Sequence, residues 1–279
     1  MAWNTTFDVS EFEAAAGGFL RADPVRNTTL LSITATVLTH GADAYGDAPP
    51  KFGWYREPGE PVRAAFLRTP PHPAVVGDLP VGAVESLVEV LAEAPGVSGP
   101  AESVKAFGRA WQVATGRVPE VAANRRLYRL AELTPPRLMP DGKARVAGVA
   151  DRELLIDWHA AFAEQASMRS PALGRVVDSK VRDGDLMLWE VDGVPVSMAG
   201  ITEPLAGVAR VAPVYTPPER RGRSYAGAVT TAISRRALDA GHEVVLFTDL
   251  ANPTSNALYQ RLGYREVGDW LELELETGS

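Results

Sequence analysis

The run EVVLFTDL, residues 243–250, constrains the fold more than any other stretch of the chain. It is apolar almost without interruption, as a central strand buried on both faces must be. Two helical segments flank it. SYAGAVTTAISRRALDAG sets Ala226, Val229, Ile233, Ala237 and Ala240 on one face and stops at Gly241. NPTSNALYQRLG takes Asn252 as N-cap and Pro253 in its first turn, with Gly263 past its end. Upstream, GVARVAPVYT reads as a strand, LMLWEVDGVPVSMAGIT as two strands around the turn pair Asp192-Gly193, and DRELLIDWHAAFAEQA as a helix with Asp151 near its start. Downstream, WLELELE alternates as a half-exposed strand closes the chain. Strands interleaved with helices in this way specify a mixed α/β (α+β) domain, a sheet flanked by helices.

The first half carries the same element types. DVSEFEAAAGGFL predicts a capped helix stopped by Gly17 and Gly18, and NTTLLSITATVLTHG a helix ending at Gly41. FGWYRE and VRAAFLRTP are short strands separated by the turn cluster PGEP, and AVESLVEVLAEAPG is an amphipathic helix with Val84, Leu87, Val88 and Leu91 on one face. GVSGPAESVKAFGRAWQVATG predicts a helix behind a Gly-Pro start, and RRLYRLAELTPP a strand ending in prolines. The Pro/Gly-rich stretch TPPRLMPDGKARVAG, residues 134–148, is the linker candidate, which gives an expected division into domains 1–140 and 145–279. SGPAESVKAFGRAW (98–111) and ANPTSNALYQRLGY (251–264) share a turn, a proline, a short helix and a closing aromatic, so the halves are expected to be related.

Composition removes several function classes. With 28 Lys and Arg against 35 Asp and Glu, the net charge of −7 gives no bulk attraction to nucleic acid or to an acidic membrane. There are no cysteines, hence no disulfide, no thiolate nucleophile and no sulfur-based zinc site. His40, His72, His159 and His242 lie too far apart in sequence for metal-ligand spacing, and no metal is expected. No signal-like N-terminus and no apolar run of about 18 residues are present, and a cytoplasmic protein is expected. Oligomeric state is open.

Against that acidic background VYTPPERRGRSYAGAV, residues 214–229, stands out. A strand passes through arginine-rich turn residues into a helix, whose first N–H groups are unpaired and whose dipole favours an anion. Gly222 permits close approach, and Arg220, Arg221 and Arg223 add charged donors. The alternative is a basic surface turn with Ser224 as an ordinary N-cap. Pro213 cannot donate to a sheet ladder and predicts an edge or a bulge. Asn252, Asn256 and Tyr259 recur at i, i+4, i+7 on one helix face.

Taken in order, these elements resemble the GNAT superfamily of acetyl-CoA-dependent N-acetyltransferases. Arg221-Gly222-Arg223-Ser224-Tyr225-Ala226 is similar to its Q/R-x-x-G-x-G/A signature, with Ser224 where Gly is usual, and NPTSNALYQRLGY is similar to its second element. The resemblance covers roughly residues 145–275, and the first half looks like a divergent, non-catalytic copy of the same fold. It implies a GNAT-like twisted mixed sheet in tandem. It implies that the diphosphate of coenzyme A lies on the amides of Arg221, Gly222, Arg223, Ser224, Tyr225 and Ala226, and that the pantetheine arm pairs with Val214 and Tyr215 where neighbouring strands part. It further implies that Asn252 and Asn256 contact the coenzyme and that Tyr259 serves the leaving thiolate as an acid. Glu203 and Asp249 are the candidates for the base that deprotonates the amine. The reaction so implied is direct acetyl transfer to a primary amine of a small molecule. A longer acyl-CoA donor, or a silent acyl-CoA-binding regulatory module, are the alternatives.

Overall fold

The computed structural model describes residues 3–165 and 173–276. The chain runs β1 (Trp3–Thr6), α1 (Val9–Ala22), α2 (Thr28–His40), β2 (Lys51–Tyr55), β3 (Ala64–Arg68), β4 (Ala74–Val76), α3 (Val81–Val90), β5 (Gly96–Pro100) and α4 (Ala101–Thr115). It continues through β6 (Glu120–Leu130), β7 (Lys143–Val146), α5 (Arg152–Gln165), α6 (Leu173–Arg182), β8 (Leu186–Val191) and β9 (Val194–Ile201). It closes with β10 (Val208–Tyr215), α7 (Tyr225–Asp239), β11 (Glu243–Asp249), α8 (Pro253–Arg261) and β12 (Tyr264–Glu274). These elements form two compact units, residues 1–127 with 267–279, and residues 128–266. Among the described residues no helix is long and apolar enough to cross a membrane.

In the first unit β1 to β4 pair antiparallel, and β4 pairs parallel with β5. The chain's last strand serves this unit: Trp270–Glu274 of β12 pair antiparallel with Gly96–Pro100. Phe66, Leu87, Phe107, Trp111, Leu271 and Leu273 meet in its core. Two sequence expectations are corrected here. Helix α1, capped by the Asp8 carboxylate on the N–H groups of Ser10 and Glu11, runs through Gly17 and Gly18 instead of stopping. Its buried stripe of Phe12, Ala16 and Leu20 continues on both sides of them, and that burial outweighs the roughly 1 kcal/mol each helical glycine costs. Gly17 also leaves room for the Glu13–Arg21 ion pair, since a Cβ there would lie 2.5 Å from the Glu13 carboxylate. The second correction is β5: the helix does start behind Gly99-Pro100, but GVSGP, expected as the turn before it, is a strand although Val97 is its one strand former. Strands on both of its edges impose the extended form.

In the second unit the sheet order is β7-β8-β9-β10-β11, with the end of β6 beside β11. Neighbours from β7 to β10 are antiparallel, and β10–β11 is parallel. A parallel pair needs a crossover, and α7 supplies it. Val229, Ile233 and Ala237 of α7 pack on Ala199, Val211 and Leu246 on one face. Leu155, Trp158 and Val177 of α5 and α6 pack on Leu188, Met198 and Tyr215 on the other. Consecutive Val244, Val245 and Leu246 are all buried, as a strand covered on both faces requires. The Pro/Gly-rich stretch 134–148 lies inside this unit, fixed by the Thr134 N–H on Leu262 O (3.0 Å) and the Trp189 indole N–H on Asp141 O (3.0 Å).

Both units share a local order. A strand leads through a turn into a helix, then to a parallel strand and a further helix: β4-α3-β5-α4 in the first and β10-α7-β11-α8 in the second.

Candidate functional site

The strands β10 and β11 pair at Val208, Ala209 and Arg210 against Glu243, Val244 and Val245, and their register goes no further. Both continue, to Tyr215 and Asp249, so the parallel pair opens along its C-terminal half. On its other edge β10 stays with β9, through a register shift between Val211 and Val214 that holds Pro213. Gly200 makes the bulge possible, because a Cβ there would lie 2.6 Å from Ala212 O and 3.0 Å from the Pro213 ring. Beyond the bulge Val214 and Tyr215 pair with Ala199 and Met198. Ser197 Oγ donates to Tyr215 O (3.0 Å), which turns that carbonyl toward β9. Strand alternation then aims the N–H and C=O of Val214 at the edge that β11 has left.

The turn after β10 leads to the start of α7. Pro218–Arg220 form a single 3-10 turn, Arg221 is extended, and Gly222 and Ser224 have φ of +75° and +62°. The Arg221 N–H is used within the turn, on Pro218 O (3.2 Å), and its guanidinium donates to Thr216 O (3.0 Å) and Gln165 Oε1 (3.1 Å). Arg221 therefore builds the turn. The amide N–H groups of Gly222, Arg223, Ser224, Tyr225, Ala226 and Gly227 find no acceptor among the described residues. Gly222 to Ser224 are exposed, and Arg220 and Arg223 have no carboxylate partner among the described residues. Six helix-start amides without an acceptor, beside Arg220 and Arg223, make this turn a candidate anion cradle.

Ser224 explains the usual glycine. It is the N-cap of α7 in the left-handed region, where a side chain costs about 1–2 kcal/mol. Its hydroxyl makes no capping bond, so nothing offsets that cost. Ser224→Gly is expected to raise unfolding free energy by about 0.5–1 kcal/mol after the larger chain entropy of glycine is deducted, read as a shift in denaturant midpoint at unchanged slope.

Helix α8 follows the open end of β11. Asn252 Oδ1 accepts the Ser255 N–H (3.0 Å), the cap expected of it. Asn256 Nδ2 donates to Asp249 O and Asn252 O (both 2.8 Å), and its Oδ1 accepts from Tyr128 Oη (3.0 Å). Tyr259, 8% exposed, packs edge-on against Tyr264 at 5.9 Å, and its hydroxyl has no hydrogen-bond partner among the described residues. Burial pushes its pKa up to about 12, so the phenol holds its proton at neutral pH. The two acid candidates are separated. Asp249 closes the open end of β11, where its carboxylate accepts the Ala251 N–H (2.8 Å). Glu203 is exposed in the β9–β10 turn, at the opposite end of β10 from the cradle. Val214, Tyr215, the cradle and α8 thus gather around the opening, and Glu203 does not. Tyr128 and Gly200 carried no signal of this kind in the sequence, beyond a glycine interrupting an apolar strand.

Residues 195–272 match the family described as FR47-like protein. No curated protein matches the sequence. Solved structures match along nearly the whole chain. A GCN5-related N-acetyltransferase from Sphaerobacter thermophilus superposes with a TM-score of 0.67 at 16% identity over 99% of this chain and 96% of that one. An acetyltransferase of the GNAT family from Colwellia psychrerythraea gives 0.65 at 10% identity over 99% and 100%. The chain is a GNAT-fold protein. The two-unit arrangement extends through the match as well: a tandem GNAT protein from the clavulanic acid biosynthesis pathway gives 0.54 at 11% identity over 99% of both chains. Within this chain the family match runs from β9 into β12, across the bulge, the opening, the cradle and α8.

Proposed function

We propose that the second unit is an acyl-CoA-dependent N-acyltransferase, with acetyl-CoA as donor and a primary amine of a small molecule as acceptor. One observation carries this reading: β10 and β11 part after three paired positions, directly before a helix start with six unpaired amides. A sheet that opens inside its own core exposes backbone polar groups that need a partner, and an extended amide-bearing chain with a diphosphate at its end supplies partners for both features. The thioester supplies an acyl group already activated for transfer. The amides of residues 222–227, with Arg220 and Arg223, hold the diphosphate, and the N–H and C=O of Val214 pair with the pantetheine amides. Tyr259 keeps a protonated, unpaired hydroxyl for the leaving sulfur. Asp249 stands at the open end and Glu203 at the paired end, so Asp249→Ala is expected to alter the pH profile of transfer more than Glu203→Ala.

The corresponding place in the first unit is filled by its own residues. β4 and β5 approach so closely that a Cβ on Gly99 would lie 2.6 Å from Val76 O. The Leu79 N–H in the turn before α3 is taken by Ser103 Oγ (2.9 Å), and that turn, Gly77 to Pro80, has no basic residue. Titration calorimetry with acetyl-CoA is therefore expected to give one site per chain, and two equivalent sites would overturn this assignment. A ligand at 100 times its Kd stabilises by about 2.7 kcal/mol. Absence of any thermal shift with CoA, acetyl-CoA and longer acyl-CoAs at millimolar concentration would sink the acyltransferase reading. Thiol release over an amine panel then separates an enzyme from a silent binder.

A further inference from the structure

We propose that Tyr128 and Asn256 are positioning residues, a latch that fixes the Tyr259 hydroxyl at the opening; this rests on the acyltransferase reading above. The resemblance assigned Asn256 to the coenzyme, but its hydrogen bonds are already committed. Both amide protons go to main-chain carbonyls, Asp249 O and Asn252 O, and the side-chain oxygen accepts from Tyr128. No donor remains for a ligand.

Tyr128 stands at the end of β6 and is fully buried. Its hydroxyl donates to Asn256 Oδ1 and accepts from Gln260 Nε2 (3.3 Å), which also donates to Glu266 Oε1 (3.1 Å). Asn256 and Gln260 are one helical turn apart, so a single phenol grips two successive turns of α8. Through Asn256 the same grip ties the helix to the carbonyl of Asp249, the last residue of β11. Tyr259 sits between the two gripped residues in sequence. Its ring is held separately by Tyr264, whose hydroxyl pairs with Ser234 of α7 (2.7 Å). Tyr128, Asn256, Gln260 and Tyr264 around Tyr259 are thus paired, while the Tyr259 hydroxyl has no partner among the described residues. A device that holds a single proton donor in place has this form, because misplacement by about 1 Å can cost about a hundredfold in rate.

The test measures kcat, acetyl-CoA affinity by calorimetry, and amide hydrogen exchange in α8 for the whole chain and its variants. Tyr128→Phe is expected to lower kcat about tenfold with coenzyme affinity within about twofold, and to speed exchange in α8. Asn256→Asp, which sets a carboxylate against two carbonyl oxygens, is expected to lower kcat further. In the Tyr259→Phe background Tyr128→Phe is expected to add no further loss of kcat, the signature of action through Tyr259. Should Tyr128→Phe fold poorly, Gln260→Ala removes one of the same bonds from the surface and is expected to act in the same direction. Unchanged kcat in Tyr128→Phe, losses that multiply in the double variant, or unchanged exchange in α8 would each overturn the latch while leaving the acyltransferase reading standing. A wild-type chain that binds acetyl-CoA but turns over no amine would instead overturn that reading.

Discussion

Tyr259→Phe is expected to lower kcat for acyl transfer about a hundredfold, with acetyl-CoA affinity within about twofold, measured by steady-state thiol release and by calorimetry. The substitution removes one oxygen from a ring that is otherwise held by packing. The T-shaped contact with Tyr264 and the burial in the α7-side core survive in Phe, so stability should hold. No hydrogen bond within the described residues is lost, because the hydroxyl makes none. The loss therefore falls on the one role left to that oxygen, donating to a leaving group that becomes anionic as transfer proceeds. The sign of the titration agrees. Burial alone raises the phenol to about 12, so the acid form persists through the neutral range and above it. A fall in activity through neutral pH must then come from the amine or its base. An equal fall in affinity and kcat would mark Tyr259 as a binding residue only.

The second unit was legible in the sequence because its signals are local. An uninterrupted apolar run, a helix with Gly241 past its end, and the Asn252-Pro253 cap each fix an element without help from the rest of the chain. The turn at Ser224 was legible in the same way: a departure from a usual glycine pointed to the one non-glycine residue of the cradle held at positive φ. What the sequence withheld depends on distant partners. β5 is extended because β4 and β12 flank it, although Val97 is the one strand former in GVSGP. The early helix crosses two glycines because buried residues on both sides hold it to the core. The i, i+4, i+7 spacing of Asn252, Asn256 and Tyr259 was visible, but not that Tyr128, more than a hundred residues away in sequence, consumes the hydrogen bonds of Asn256. Spacing shows which side chains share a face; it does not show which of them already have partners.

Gly263→Ala is expected to destabilise the second unit by about 3 kcal/mol, roughly 6–12 °C in melting temperature for a unit of this size. Gly263 follows the last turn of α8 at φ +97°, and a Cβ there would fall 1.7 Å from Glu132 O and 2.8 Å from Glu132 C. Two costs combine. The left-handed backbone contributes about 1–2 kcal/mol for any side chain. The clash adds about 1–3 kcal/mol, since Glu132 offers main chain and not the flexible end of a side chain. Relaxation is limited because Gly263 O accepts the Ala131 N–H (3.1 Å) and Leu262 O accepts the Thr134 N–H on either side of that contact. Gly241, past the end of α7, separates the two costs. Its φ is +83°, but nothing lies within 4 Å of its missing Cβ. Gly241→Ala should thus cost only the conformational part, about 1–2 kcal/mol. Urea unfolding of both variants measures the difference. If the two lose the same stability, the segment after β6 yields freely to α8, and the helix that carries Tyr259 is held by the Tyr128–Asn256 bond and not by its C-terminal end.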